Sequence, residues 1–376
     1  MPTFYEFFAG GGMARAGLGK GWECLFANDI DEKKGASYAA NWGGDRLTIK
    51  DVGQVTTAEP PERADLAWAS FPCQDLSLAG DYAGLKGERS GTFWLFWRLM
   101  KALAEERRAP SVVVLENVCG ALTAHDGKDF AAIGGALADG GYRFGALVMD
   151  AARFVPQSRP RLFIVAVREE RGVPDALTRT EPDPRWHPAN LVGAYEKLPP
   201  RLKKVWLWWR LPAPPSRKAK FEDIIEDEPE GVEWHTPAET RRLLSLMSPL
   251  NRKKVEQARR MGRRMVGGVY KRTRMDEEGN RAQRAEIRFD DVAGCLRTPV
   301  GGSSRQSIMI VEGERQACTM PAPCSSIWLA RSWIAPLGRG SSSTTVFRRP
   351  TRPADGPAIS SSVMSHSMSR HRPAKR

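Results

Sequence analysis

The chain has 376 residues, of which 41% are hydrophobic, and this length suits roughly two domains with a sizeable core. Its net charge of +13 favours a polyanionic partner, although residues 316–376 alone carry nine Lys or Arg against one acid, Asp355. The six cysteines form no CxxC pair, and no apolar run approaches the roughly 20 residues of a membrane span, so neither a zinc module nor a membrane protein is expected. Without a basic leader before Glu6, we expect reduced thiols and a cytoplasmic location.

The first 168 residues alternate short apolar runs with helical patterns. Strands are predicted in TFYEF, ECLFAND, ADLAWASF and SVVVLENV, and helices in MARAGLG, EKKGASYAANW and GTFWLFWRLMKALAEERR. YRFGALVMDAARF and RLFIVAVRE predict two more strands, which are close enough in sequence to pair antiparallel. This alternation favours a mostly parallel sheet with helices on both faces, and in such sheets ligands bind beyond the carboxyl ends of the strands.

The character of the sequence changes after residue 170. Prolines cluster at 199–215, and ETRRLLSLMSPLNRKKVEQARRMGRRM predicts one or two basic helices, which favours a second, smaller domain. The run KKVWLWWR either stacks on nucleobases or, as we prefer, forms a core strand of that domain. Residues 291–313 again have strand-like patterns, whereas the Ser-, Pro- and Arg-rich sequence from about 316 predicts neither helix nor strand.

A glycine-rich turn, FAGGG at residues 8–12, follows the first predicted strand. Such a turn brings backbone N–H groups close to a ligand, but Arg15 replaces the third glycine of a GxGxxG dinucleotide motif. Asp29 ends the second strand, where its carboxylate could accept two ribose hydroxyls, and Asp51 lies where a third strand would end. Each feature alone also fits a turn without a ligand; their order favours a nucleoside pocket.

A thiol and a carboxyl follow the next two predicted strands. Cys73 stands behind Pro72 in WASFPCQDLSLAG, and Glu116 ends the buried run SVVVLENV. A lone cysteine is usually a small core residue, but a carboxyl after such an apolar run is costly unless it is paired or functional. Arg159 and Arg161 in QSRPRLFIV are two residues apart, so an extended chain would place both on one face.

The order FxGxG, N-D, PCQ, ENV, QxRxR and then R…GG resembles the DNA (cytosine-5) methyltransferases, over roughly 1–168 and 291–311. The resemblance implies an α/β, class I methyltransferase (Rossmann-like) fold with a mostly parallel sheet, an antiparallel last strand pair and a small target-recognition domain. It divides the chain into a catalytic and cofactor-binding domain at 1–170, a target-recognition domain at 171–290, a return to the catalytic domain at 291–315 and a disordered or non-native tail at 316–376.

The resemblance also implies a reaction on cytosine. Cys73 would add to carbon 6 of the ring and so activate carbon 5 to accept a methyl group. Glu116, as a mostly buried carboxyl, would hold a proton and donate it to ring nitrogen N3. Arg161 would hold the cytosine carbonyl oxygen, and Arg159 the catalytic loop or the DNA backbone.

The family's cofactor is S-adenosylmethionine, and no metal is expected. The positions that match its pocket are Phe8, Gly10, Gly12, Asp29, Ile30, Asp51 and Phe93. The positions expected at the substrate, or in support of the recognition domain, are Pro72, Gln74, Ser77, Asn117, Arg297, Gly301 and Gly302. The glycine-containing segment 80–90 would close over a cytosine that has left the base stack.

The expected partner is double-stranded DNA, with a cognate restriction endonuclease as a functional partner and a monomeric, bacterial or phage-encoded protein. The last family motif, roughly GN(A/S)V, is not found after SIMIVEGER. Two alternatives therefore stay open: an impaired remnant that binds DNA or cofactor without turnover, and a tRNA cytosine-5 methyltransferase.

Overall fold

A seven-stranded sheet forms the first part of the protein. The computed structural model describes residues 1–72, 91–226, 234–275, 279–295, 306–312 and 315–321, the last range as backbone alone. The strands of the sheet are β1 (Thr3–Phe7), β2 (Glu23–Asp29), β3 (Leu47–Ile49), β4 (Leu66–Ala69), β5 (Val112–Asn117), β6 (Tyr142–Asp150) and β7 (Pro160–Arg168). Their order is β3-β2-β1-β4-β5-β7-β6, and β7 runs antiparallel to both of its neighbours. The predicted parallel sheet with an antiparallel last pair is confirmed.

Helices cover both faces of this sheet. They are α1 (Met13–Leu18), α2 (Glu32–Trp42), α3 (Thr92–Glu105) and α4 (Lys128–Asp139), of which the sequence analysis missed α4. Alternation along β1 explains the two faces, because Phe7 packs against Phe96 of α3, whereas Phe4 belongs to the apolar cluster on the other face that includes Tyr38 of α2. Among the described helices, none is long and apolar enough to cross a membrane.

Residues 178–209, which we call the tryptophan-rich segment, pack against β6 at the edge of this sheet. The segment includes α5 (Ala189–Glu196), α6 (Pro200–Lys204) and the short pair β8 (Thr178–Arg179) with β9 (Trp208–Trp209). The Leu207 N–H donates to the Phe144 carbonyl of β6 at 2.7 Å, and Trp206 is buried against the Phe144 ring. KKVWLWWR is therefore a buried core segment, as preferred, but it packs on the edge of the first sheet and not within a separate small domain.

A second, antiparallel sheet follows. Its strands are β10 (Arg264–Met275), β11 (Arg281–Arg288), β12 (Gln306–Glu312) and β13 (Arg315–Pro321), in the order β11-β10-β12-β13. Helices α7 (Pro237–Ser245) and α8 (Pro249–Arg260) pack on one face. Residues 291–315 were expected to return to the first domain, yet β12 pairs with β10. No strand was expected from residue 316 onwards, but β13 extends to Pro321 and pairs with β12. Residues 322–376 lie outside the described part of the chain.

Candidate active site

Backbone hydrogen bonds join the carboxyl ends of the parallel strands at one edge of the sheet. The Ala9 N–H donates to the Asn28 carbonyl at 2.9 Å, and the Ser70 N–H to the Phe7 carbonyl at 3.3 Å, which connects the segments after β1, β2 and β4. The Asn28 side chain donates to the Lys50 carbonyl at 2.9 Å and so holds the segment after β3. The residues predicted at these strand ends therefore share one edge, where ligands of such sheets bind.

The glycine turn after β1 has a strained backbone. Phe8 and Gly10 have positive φ angles of 56° and 57°, which are rare for a residue with a Cβ such as phenylalanine. The Gly10 N–H donates to Asp29 Oδ2 at 2.8 Å, so the turn is attached to the end of β2. Gly12 has a φ of 81°, and a Cβ there would overlap the Trp42 ring, so only glycine fits.

Asp29 is a buried carboxylate, 5% exposed, beside an exposed apolar side chain. Its Oδ2 accepts the Gly10 N–H, and its Oδ1 accepts the Asp31 N–H at 2.9 Å. A carboxylate has about four acceptor positions, so two remain for the hydroxyls of a ribose. Ile30 is 63% exposed, and an apolar surface of this kind beside a carboxylate suits the ring of a nucleobase.

The other two predicted cofactor positions differ in character. Asp51 Oδ1 accepts the Gly53 N–H at 2.6 Å, so this carboxylate fixes the turn after β3 and is half-buried there. Phe93 has no exposed surface; it packs against Phe71 and is stacked on Trp97. In this conformation Phe93 supports the segment before Pro72 and does not offer a surface to a ligand.

These residues fit S-adenosylmethionine at the ribose and base. Gly10 has no heavy atom within 4 Å of the position a Cβ would take, so the space beside the turn is open. Asp29 supplies spare acceptors for the ribose hydroxyls, and Ile30 supplies an apolar contact for the base. Carboxylate oxygens and backbone groups of this kind suit an uncharged sugar and base.

Glu116 and Arg161 form an ion pair where β5 ends and β7 begins. Arg161 Nε lies 3.0 Å from Glu116 Oε1, and the two side chains are 18% and 23% exposed respectively. Arg161 Nη1 also donates to the Pro160 carbonyl at 2.9 Å. The structure thus brings these two predicted residues together and pairs them with each other, and the Glu116 side chain is mostly, although not fully, buried.

Asn117, predicted at the substrate, is fixed by hydrogen bonds within the chain. It is 5% exposed, its Nδ2 donates to the Phe71 carbonyl at 3.3 Å, and its Oδ1 accepts the Val118 N–H at 2.8 Å. These bonds give Asn117 a structural role, and its contact with the substrate stays a prediction. It ties the segment that leads to Pro72 to the end of β5, beside Glu116.

Arg159 lies at the seam between the two sheets. Its N–H donates to Asp150 Oδ1 at 2.7 Å, and its Nη1 donates to Cys295 Sγ at 3.6 Å. The Ser158 N–H donates to the Ala293 carbonyl at 2.8 Å in the same seam. The spacing of the two arginines predicted a shared face, but Arg159 contacts the second part of the protein, whereas its neighbour Arg161 contacts Glu116.

Six predicted residues have no described position. They are Cys73, Gln74, Ser77, Arg297, Gly301 and Gly302. The described chain stops at Pro72, one residue before the predicted nucleophile, and its Phe71 carbonyl is held by Asn117 next to Glu116. The anchored approach to position 73 is therefore described, although the thiol itself is not.

Glu6, in the middle of β1, has a structural role that was not predicted from the sequence. Its Oε1 accepts the N–H groups of Ala14 and Arg15 at 3.0 and 3.4 Å, at the start of α1, while its Oε2 is buried without a hydrogen-bond partner among the described residues. Burial raises the pKa of this carboxyl to about 7, and the two N–H donors oppose the rise. The one available signal was an acid inside the apolar run TFYEFF.

The sheet order, the turn and the strand-end carboxylates define the class as an α/β, Rossmann-like methyltransferase. The sequence model of the C-5 cytosine-specific DNA methylase family matches residues 2–307, so the chain belongs to that family.

Several bacterial enzymes are similar in sequence. Type II methyltransferase M.BsuFI from Bacillus subtilis is 33% identical over 184 residues, which is 48% of this chain and 43% of the relative. Type II methyltransferase M.BanI from Aneurinibacillus aneurinilyticus is 33% identical over 234 residues, which is 60% of this chain and 48% of the relative. The chain spans about half the length of these relatives. The crystal structure of the S. pombe Dnmt2 methyltransferase covers 66% of this chain and 68% of its own, with 16% identity and a TM-score of 0.44.

Proposed function

We propose that this protein transfers a methyl group from S-adenosylmethionine to carbon 5 of a cytosine in duplex DNA. The observation that carries the proposal is the Glu116–Arg161 pair beside the anchored Phe71–Pro72 segment, on the sheet edge that also holds the glycine turn and Asp29. Membership of the C-5 cytosine-specific DNA methylase family supports it. The cognate endonuclease, the monomeric state and the cytoplasmic location stay predictions.

The chemistry requires activation of the ring, because carbon 5 of cytosine is a poor nucleophile. The Cys73 thiolate forms a bond to carbon 6, and the electron pair of the 5,6 double bond becomes available at carbon 5. When bound, S-adenosylmethionine supplies an electrophilic methyl group. Loss of the proton from carbon 5 then restores the double bond as the Cys73 sulfur leaves carbon 6.

Glu116 and Arg161 exchange partners in this proposal. In the described conformation the guanidinium neutralises the carboxylate at 3.0 Å. A cytosine that enters between them offers its carbonyl oxygen to Arg161 and its N3 to Glu116. The protonated form of Glu116 donates its proton to N3 as the thiolate adds. The ion pair thus keeps both groups positioned until the base arrives.

The target base must leave the DNA stack to reach this edge, which costs a few kcal/mol. A cleft between the two parts of the protein is the proposed route: Ser158 and Pro160 of the first part line it together with Lys254, Tyr270 and Arg272 of the second. Pro160 directly precedes Arg161 in the chain, and we therefore place the route to the Glu116–Arg161 pair through this cleft. Cations on its wall suit the DNA phosphates.

The decisive experiment uses DNA that carries 5-fluorocytosine, together with labelled S-adenosylmethionine. Fluorine cannot leave carbon 5 as a cation, so a true enzyme stays covalently attached to the DNA and migrates as a labelled adduct. Cys73→Ser should abolish the adduct. Cys119→Ser is the matched control, because Cys119 is a free, half-buried thiol that lies within electrostatic range of Arg161. This variant should form the adduct like the wild type.

The other outcomes separate the alternatives. Methyl transfer to tRNA without transfer to DNA would establish the RNA substrate and contradict the proposal. Binding of DNA and cofactor with neither adduct nor product would identify an impaired remnant. An adduct that is lost in Cys119→Ser and kept in Cys73→Ser would identify Cys119 as the nucleophile and contradict the role proposed for Cys73.

A further inference from the structure

The hairpin of β10 and β11 extends beyond the second sheet. Strand β12 pairs with β10 only along Arg264–Tyr270, whereas β11 continues to pair with β10 as far as Met275. Residues 271–275 and 281–285 therefore form a two-stranded segment with a neighbour missing on the β12 side among the described residues, and we call this segment the ribbon. Most of its residues are exposed.

The two faces of the ribbon have different surroundings. Val269, Ala285 and Ile287 point into the apolar cluster beneath α7 and α8. Because side chains alternate along a strand, and because Arg272 pairs directly with Arg284, a second set of residues shares the opposite face. We call this set the arginine face; its members are Arg272, Arg274 and Arg284.

The arginine face concentrates positive charge at some cost to the free protein. Arg272 and Arg284 are directly opposite each other, an arrangement that destabilises a strand pair by like-charge repulsion. Glu286, on the same face, accepts from Arg274 Nη2 at 2.7 Å and lies 3.4 Å from Arg272 Nε. Glu286 thus pairs with two of the three arginines, Arg272 and Arg274, and orients them. A polyanion bound to this face would relieve the remaining repulsion between Arg272 and Arg284.

The arginine face continues into the cleft that leads to the candidate active site. Tyr270, at the base of the ribbon, packs so closely on Gly294 that a Cβ there would overlap its ring. The next residue, Cys295, accepts from Arg159. Arg272 and Glu286 themselves line the cleft together with Pro160. A duplex that presents a base to Glu116 would therefore lie along this face.

We propose that the ribbon enters the major groove of the DNA and that the arginine face reads guanine edges there. The inference rests on the proposed function and names the element that selects the sequence. The major groove, about 12 Å wide, admits a two-stranded ribbon, and only there does each base pair present a distinct pattern of donors and acceptors. Arginine pairs with O6 and N7 of guanine through two hydrogen bonds, and Glu286 holds Arg274 in the fixed geometry that such pairing needs.

The test measures sequence preference and not only activity. A pool of random duplexes is methylated by the wild type and by Arg272→Ala, Arg274→Ala and Arg284→Ala, and bisulfite sequencing then gives the flanking bases of each methylated cytosine. We expect the wild type to require guanine at defined positions. Each variant should lose roughly ten- to hundredfold of the preference at one or two of them, while it still methylates cytosine.

Arg281→Ala is the matched control. Arg281 is an exposed arginine of the same ribbon, but it pairs with Met275 and so lies on the opposite face. This variant should keep the wild-type preference. An equal change of preference in Arg281→Ala would show that total charge matters and not the arginine face, and would overturn the proposal.

A second measurement changes the DNA and leaves the protein intact. Replacement of guanine by 7-deazaguanine removes the N7 acceptor from the major groove and preserves base pairing. The wild type should lose about tenfold or more of its rate on such a duplex, and the matching alanine variant should lose much less. A preference that is unchanged in all three variants and insensitive to 7-deazaguanine contradicts the ribbon proposal. An absence of methylation and of the fluorocytosine adduct in the wild type contradicts the proposed function instead.

Discussion

Glu6 shows how one residue can connect the core to the glycine turn. Its carboxyl is 1% exposed and lies beneath the start of α1, where it accepts two backbone N–H groups. As a carboxylate it would fill the acceptor role well, but burial disfavours its charge, and this raises its pKa to about 7. The residue therefore changes its protonation state within the physiological range and beneath the candidate cofactor turn.

This raised pKa predicts a stability that falls as pH rises. Below about pH 4.5 Glu6 is protonated in both the folded and the unfolded protein, so it contributes no pH dependence. Between about pH 4.5 and 7 the folded protein binds more protons, and the free energy of unfolding declines, by about 3 kcal/mol in total above pH 7. Urea unfolding across this range should show a decline for the wild type that Glu6→Gln lacks. A constant difference between the two proteins would disprove the assignment.

At the scale of elements, local patterns identify strands and helices better than they identify partners. Strands β1, β2, β4 and β5 were predictable because their apolar runs are bounded by glycine, proline or acid, and α3 because of its amphipathic period. The β6 and Trp206 segments lie about 60 residues apart, and nothing local encodes their contact. Strand β12 was expected in the first sheet and lies in the second for the same reason, because no local pattern encodes its pairing with β10.

The candidate site follows the same division. Asp29 and Glu116 could be singled out from the sequence, because an acid at the end of an apolar strand is costly to bury unless it is paired or functional. The structural role of Asn117 was not predictable, because its partner, the Phe71 carbonyl, lies more than forty residues earlier in the chain. The pairing of Arg161 with Glu116 likewise depends on the antiparallel register of β7 with β5.

The contact between β6 and the tryptophan-rich segment predicts a strong effect of a single methyl group. A Cβ on Gly145 would overlap the Leu207 carbonyl, which is backbone and cannot rotate away. Gly145→Ala should therefore lower the free energy of unfolding by about 2–3 kcal/mol, as overpacking of a tight contact does. Gly193→Ala in α5 is the control, since no heavy atom lies within 4 Å of its Cβ position and alanine favours helix. Equal urea midpoints for the two variants would refute this contact.

At the scale of the whole molecule, the distribution of charge favours one surface for the proposed DNA substrate. The net charge of +13 does not identify a site by itself, because residues 316–376, with nine Lys or Arg against one acid, contribute +8 of it. The cleft gives it a location: Lys254 and Arg272 line the side of the second sheet, opposite Ser158 and Pro160. On the proposed function, the second sheet would contribute both phosphate contacts and sequence selection, while the first would contribute the chemistry.

Lys254 tests this division through the salt dependence of DNA binding. Each phosphate contact releases counter-ions, so the logarithm of the affinity falls with the logarithm of salt concentration, and loss of one contact reduces that slope by about one. Lys254→Gln should give this reduction for any duplex sequence, and glutamine can still donate to the Ile287 carbonyl that Lys254 contacts at 3.3 Å. Arg201→Gln is the control, because Arg201 is an exposed cation paired with Asp139 of α4, away from the cleft lining. Fluorescence anisotropy across a salt series measures both slopes, and a reduction of equal size in Arg201→Gln would mean that DNA does not select the cleft.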